Sequence, residues 1–163
     1  YFPIKSTEAL MQVNWPGRWQ RIEFLGRSLI LDSSHNPEGI VELEKNLSEL
    51  TKKEGRRPII IAGTLGKDRA RSLMQTVQRH AREIFLVAPK QERAAPTKFL
   101  KDCLRRDATE TTMSALFPGP ECILIGELGD TIVITGSIYL IGEALERIAG
   151  VASLDGSRLQ DKI

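Results

Sequence analysis

The sequence lacks most of the features that would settle its class at once, and each absence excludes something. Its 163 residues include two cysteines, Cys103 and Cys122, whose separation matches neither a metal site nor a redox pair. Cys122 lies in an apolar run and reads as a small core residue; a reducing, cytoplasmic setting is expected. No apolar run approaches the length of a membrane span, and no signal peptide is visible. Neither sign of charge dominates. With 23 Lys and Arg against 21 Asp and Glu, a dedicated nucleic-acid or membrane-surface protein is disfavoured, since such proteins carry a one-signed excess. There is no internal repeat and no low-complexity segment. An initiator methionine is absent too: the chain begins at Tyr1. Its opening, "YFPIKSTEALMQVNWPGR", reads as a linker followed by a short helix, and a piece of a longer polypeptide is expected.

A phosphate loop is also missing. "GTLGKD", residues 63–68, has glycines and a lysine. However, a Walker A loop needs four residues between its first glycine and the Gly-Lys pair, followed by Ser or Thr for magnesium. Here two residues intervene and Asp68 follows Lys67. No G-x-G-x-x-G occurs either. The chain therefore holds no stand-alone triphosphate cradle, and Lys67 and Asp68 read as the surface start of a helix.

What is present is alternation. Apolar content of 41% and charged content of 27% suit one ordinary globular domain. "RIEFLGRSLILD" reads as two extended runs about Gly26 and Arg27. "NPEGIVELEKNLSELTKK" is an amphipathic helix with Ile40, Leu43, Leu47 and Leu50 on one face, Asn36 as N-cap and Pro37 at the first position. "RRPIIIAGTLG" is a buried strand, "KDRARSLMQTVQRHA" a helix, and "EIFLVAP" a strand stopped by Pro89. "APTKFLKDCLRR" and "ATETTMSALF" read as short helical segments. "ECILI" and "TIVITG" read as strands, and "SIYLIGEALERIAG" as a helix ending at Gly150. Strand and helix in turn predict an α/β fold: a three-layer, open, mostly parallel, Rossmann-like sheet of about six strands with helices on both faces.

In such sheets ligands bind outside the carboxyl ends of the strands. "LDSSHNPEGI" places Asp32 at a strand end and His35 just before a helix N-terminus, where unpaired N–H groups favour anions. "ITGSIYL" repeats the device, with Gly136 for a close turn and Ser137 before a helix. Each feature also has an ordinary explanation. Asp often ends strands, Asn-Pro starts helices in any protein, and Ser caps them.

Three pieces taken together carry a resemblance: "NWPGRWQRIE", "LILDSSHNPEGIVEL" and "VITGSIYLIGEAL". In order and spacing they resemble the C-terminal domain of folylpolyglutamate synthase, often bifunctional with dihydrofolate synthase, in the Mur ligase superfamily. That family typically reads W-P-G-R, then D-G-A-H-N-P, then G-S-L-Y-x-x-G-E. "PKQERA", with Arg93 and Ala94, is similar to its mid-domain segment. The chain departs from the pattern in having Ser33-Ser34 for Gly-Ala, and Gly66 where the family often has the first acid of D-K-D. The resemblance implies residues 1–14 as a linker remnant from a missing N-terminal ATPase domain, 15–150 as a Mur ligase C-terminal domain, and 151–163 as a polar tail.

It further implies an ATP-dependent ligase of folate metabolism that joins L-glutamate to folate or dihydropteroate through an acyl phosphate. ATP and Mg2+ would be required, with the metal ligands and the P-loop in the missing domain. Arg18 and Asp32 are then the expected ATP contacts, and His35 and Ser137 the expected glutamate or phosphate contacts. No catalytic base and no metal ligand are assigned on this chain. Lys67 is allowed at most a polar contact. A cytoplasmic monomer is expected, with its own N-terminal domain as partner, no nucleic acid and no membrane. A cell-wall Mur ligase and a non-catalytic flavodoxin-like domain are the alternatives.

Overall fold

The computed structural model of the chain describes residues 2–3 and 18–149. The strands are β1 (Phe2–Pro3), β2 (Gln20–Phe24), β3 (Arg27–Asp32), β4 (Ile59–Ala62), β5 (Glu83–Val87), β6 (Thr109–Thr111) and β7 (Thr131–Thr135). The helices are α1 (Pro37–Glu54), α2 (Ala70–His80), α3 (Thr97–Asp102), α4 (Met113–Leu116) and α5 (Ile138–Ala149). The strands form one sheet in the order β1-β2-β3-β7-β4-β5-β6. Every pairing is parallel except the β2–β3 hairpin. Six strands of at least three residues, joined by the two-residue β1, make the open, mostly parallel sheet that the alternation predicts.

Side-chain alternation divides the core between the two faces. Leu29, Leu31, Ile59, Ile61, Ile132 and Ile134 pack against α4 and α5. Ile30, Ile60, Ala62 and Val133 pack against α1, α2 and α3. Both central strands, β4 and β7, are buried along their whole length, as expected of strands covered by helices on both sides. Each fully buried Ile or Leu contributes about 1.5–3 kcal/mol of transfer free energy, so this double core dominates the stability.

α1 forms for local reasons. The Asn36 side chain accepts a hydrogen bond from Gly39 N, Pro37 opens the first turn, and Gly55 closes the helix in the left-handed conformation with φ 71°. Leu43, Leu47 and Leu50 form its buried stripe.

Two segments differ from what the sequence predicts. "ECILI" is a loop rather than a strand: Ile125 is buried and Ile123 packs on the α5-side core, while Leu124 is exposed. The segment crosses from the sheet edge back to its centre, and it is apolar because it covers core on the way. Cys122 within it is only partly buried. The strand beside β5 comes instead from Thr109–Thr111, within a stretch that reads as helical, and the helix begins after it at Met113. The short helix expected near the start of the chain and the end of the last helix at Gly150 lie outside the described residues.

Candidate functional site

The carboxyl ends of three neighbouring strands lie level. Asp32 of β3, Thr135 of β7 and Ala62 of β4 are register partners across the sheet. From this row the chain departs in opposite directions. β3 and β4 lead to α1 and α2 on one face, whereas β7, between them, leads to α5 on the other. Loops that diverge around a central strand leave a crevice at its carboxyl end, the place where open α/β sheets bind ligands.

The β3–α1 loop is shaped by its own polar groups. Asp32 is 2% exposed, and its Oδ1 accepts the Ser34 N–H at 2.8 Å, an Asx turn that folds the chain toward the helix. Ser34 is buried too, and a Cβ on Gly39 would come within 3.3 Å of the Ser34 Cα; only small residues fit here. His35 is exposed, and its Nδ1 lies 2.7 Å from the Ser33 carbonyl. A carbonyl can only accept, so Nδ1 carries the proton and Nε2 remains for an external partner.

The β7–α5 turn is closer still. Gly136 has φ 110°, and a Cβ there would stand 2.2 Å from the Gly63 carbonyl oxygen. Gly63 in turn approaches the Val87 carbonyl, which a Cβ would meet at 2.0 Å. The two glycines let the ends of β7, β4 and β5 touch backbone to backbone. Ser137 is 4% exposed, and its Oγ accepts the Tyr139 N–H at 3.2 Å, so it caps α5.

Arg18 reaches the same edge through the hairpin. Because β2 runs antiparallel to β3, its first residue, Gln20, lies opposite Leu31. Arg18, two residues earlier, is exposed. Trp19, left-handed at φ 54°, packs against the core on the α1 side. Arg18, Asp32, His35 and Ser137 therefore share one end of the sheet. Lys67 and Asp68 are exposed as the sequence suggests, and the Lys67 ammonium lies 5.0 Å over the Phe99 ring, a cation–π contact.

Glu143 was not singled out by its sequence. On α5 it is partly buried, and it accepts the Lys90 N–H in the loop after β5. Burial pushes its carboxyl above the usual range, against the lowering effect of that hydrogen bond and of the Lys90 charge. The signal for it in the sequence is the closing G-E of the family pattern, which falls on Gly142 and Glu143.

At the opposite, amino end of the sheet a cleft of about 360 Å3 is lined by Arg56, Arg82, Glu83, Gly126, Glu127 and Asp130. Its chemistry is self-contained. Asp130 is buried, bonded to Arg56, to Arg82 Nη2 at 2.8 Å and to Glu127 N at 2.8 Å. These are structural ion pairs rather than a vacancy for a ligand. Among the described residues no group of three or more His, Cys, Asp or Glu could hold a metal ion, and no helix is long and apolar enough to cross a membrane.

The family model "Mur ligase, glutamate ligase domain" matches residues 17–138. No curated protein matches the chain. Among solved structures it is similar to a bifunctional folylpolyglutamate synthase/dihydrofolate synthase from Yersinia pestis, complexed with AMPPNP and Mn. The two share 18% identity with a TM-score of 0.63, over 82% of this chain and 31% of that one. It is likewise similar to Escherichia coli FolC in complex with DHPP and ADP, with 17% identity and a TM-score of 0.64, over 85% and 32%. A further structure, of a bifunctional folylpolyglutamate synthase/dihydrofolate synthase with Mn, AMPPNP and L-glutamate bound, gives 19% identity and a TM-score of 0.58 over 90% and 32%. The chain thus spans about a third of the length of the structures it matches.

Proposed function

Since the chain belongs to the Mur ligase glutamate ligase domain family, we propose that it serves an ATP-dependent ligase that joins L-glutamate to a folate or dihydropteroate carboxylate. In that reaction the acceptor carboxylate takes the γ-phosphoryl group of ATP and ADP leaves. The glutamate amino group then attacks the acyl phosphate, loses its proton, and displaces phosphate as the amide forms. One observation supports the proposal: Arg18, Asp32, His35 and Ser137 lie at or just beyond the ends of β2, β3 and β7 on the same, carboxyl side of the sheet. Ligands named for the similar structures, nucleotides and L-glutamate, fit the same chemistry.

Each residue has a physically suited part. The permanently charged Arg18 pairs with phosphate oxygens. Asp32, with Oδ1 committed to Ser34, keeps acceptor capacity for a ribose hydroxyl. His35 Nε2 and the Ser137 hydroxyl proton lie at helix starts suited to a phosphate or carboxylate. On this reading the ligands of a divalent ion that neutralises the nucleotide phosphates lie outside this domain. This domain contributes position and closure rather than a base.

Steady-state kinetics of the whole protein with ATP, glutamate and a folate or dihydropteroate acceptor test the reading. Arg18→Ala and Asp32→Asn are expected to lower kcat/KM for ATP roughly ten- to a hundredfold with little change in Tm. His35→Ala is expected to act on the glutamate KM. Normal ATP kinetics in both Arg18→Ala and Asp32→Asn would overturn the proposal.

A further inference from the structure

Three buried side-chain atoms among the described residues have no hydrogen-bond partner: Gln20 Oε1, Thr51 Oγ1 and Thr135 Oγ1. Two of the three, Gln20 and Thr135, lie at the carboxyl edge, on the strands that flank β3. A buried hydroxyl without a partner disfavours folding, and a valine of the same shape would avoid the loss. Such a group is therefore informative about what happens after folding.

Thr135 is the better defined of the two. It is fully buried, and its backbone is held by the Gly63 N–H bonded to its carbonyl at 3.2 Å and by the close Gly136–Gly63 contact that follows it. By strand alternation its side chain lies on the α1 face with Val133 and Thr131. β7 thus begins and ends with a threonine on one face. The hydroxyl of Thr131 is satisfied by Glu54, at 2.8 and 3.0 Å. That of Thr135 is not, although its register partner on the adjacent strand is Asp32, whose side chain lies on the same face beside Ile30.

We propose that Thr135 is a positioning residue for Asp32: on nucleotide binding its hydroxyl rotates to donate to the Asp32 carboxylate and holds it toward the ligand. The inference rests on the reading of Asp32 as a nucleotide contact. It explains why a hydroxyl is kept where an isosteric methyl would fold better.

The test compares Thr135→Val, Thr135→Ser and Asp32→Asn in the whole protein, by ATP KM, kcat and Tm. Thr135→Val is expected to raise the ATP KM about tenfold, with kcat nearly unchanged and Tm equal or higher. Thr135→Ser, which keeps the hydroxyl, is expected to restore the wild-type KM. In the Asp32→Asn background Thr135→Val is expected to add nothing, the mark of two groups acting as one. A rise in KM smaller than about threefold for Thr135→Val overturns the proposal. So does a lowered Tm or a failure to fold, either of which would make the hydroxyl a folding requirement. If Asp32→Asn impairs ATP use and Thr135→Val does not, only this inference fails. If Asp32→Asn is itself silent, the nucleotide reading fails and takes the inference with it.

Discussion

Glu143 shows how a single carboxyl can work against the fold that contains it. Burial raises its pKa above the ordinary carboxylate value, and the Lys90 N–H only partly offsets this. A group whose folded pKa is raised is favourable to stability below its unfolded pKa and progressively unfavourable as pH rises through the folded one. Glu143→Gln keeps an oxygen for the Lys90 N–H and removes the charge. Its Tm is expected to match that of the wild type below the ordinary carboxylate pKa and to exceed it at neutral and higher pH. Thermal melts of both proteins across that range check this; a difference independent of pH would show that desolvation of the carboxylate is not the cause.

At the scale of elements, α1 and α2 lie side by side over β3, β7 and β4, and one polar bridge joins their outer faces. Glu44 of α1 accepts from Arg79 at 2.7 Å and meets His80 Nε2 at 2.5 Å, both on α2. Burial pushes the Glu44 carboxyl up, but hydrogen bonds from Arg79, His80 and Thr76 outweigh it and hold the pKa at about 2. The sign is opposite to that of Glu143. The stabilisation is present above the ordinary carboxylate pKa and is lost as pH falls through about 2. Glu44 and Arg79 are both partly in water, so the effect is expected to be less than about 1 kcal/mol. Glu44→Gln is expected to be slightly less stable than the wild type at pH 7 and equal to it near pH 2. Acid unfolding followed by circular dichroism checks this, and a gap that persists in acid would assign the loss to packing.

At the scale of the whole molecule, the chain has a complete double core but spans about a third of the length of its structural neighbours. A Walker A phosphate loop is not readable in its sequence. We therefore expect the 163-residue chain alone to fold cooperatively yet to show no ligase turnover. Its affinity for ATP is expected to be weaker than micromolar, about −8 kcal/mol. A ligase assay and calorimetry on the isolated chain measure both, and turnover by this chain would mean that it contains the entire active site.

The sequence by itself determined what depends on neighbours along the chain. Asn36 and Pro37 start α1 because capping acts within one turn, and Gly55 ends it for the same reason. The buried runs of β3, β4 and β7 are legible because strands covered on both faces must be apolar throughout. So was the position of Asp32 at a strand end. Tertiary structure decided the rest. "ECILI" has a strand's composition, but composition does not supply a pairing partner: the place beside β5 is taken by Thr109–Thr111, and this segment instead covers core as a loop. The insertion of β7 between β3 and β4 is a long-range pairing that no local pattern encodes. That insertion creates the crevice, sets Thr135 beside Asp32, and brings Ser137 to the edge that Arg18 reaches through the hairpin. The partners of Glu143 and Asp130 are likewise far away in sequence, so their burial, and the roles that follow from it, became visible only once the sheet was assembled.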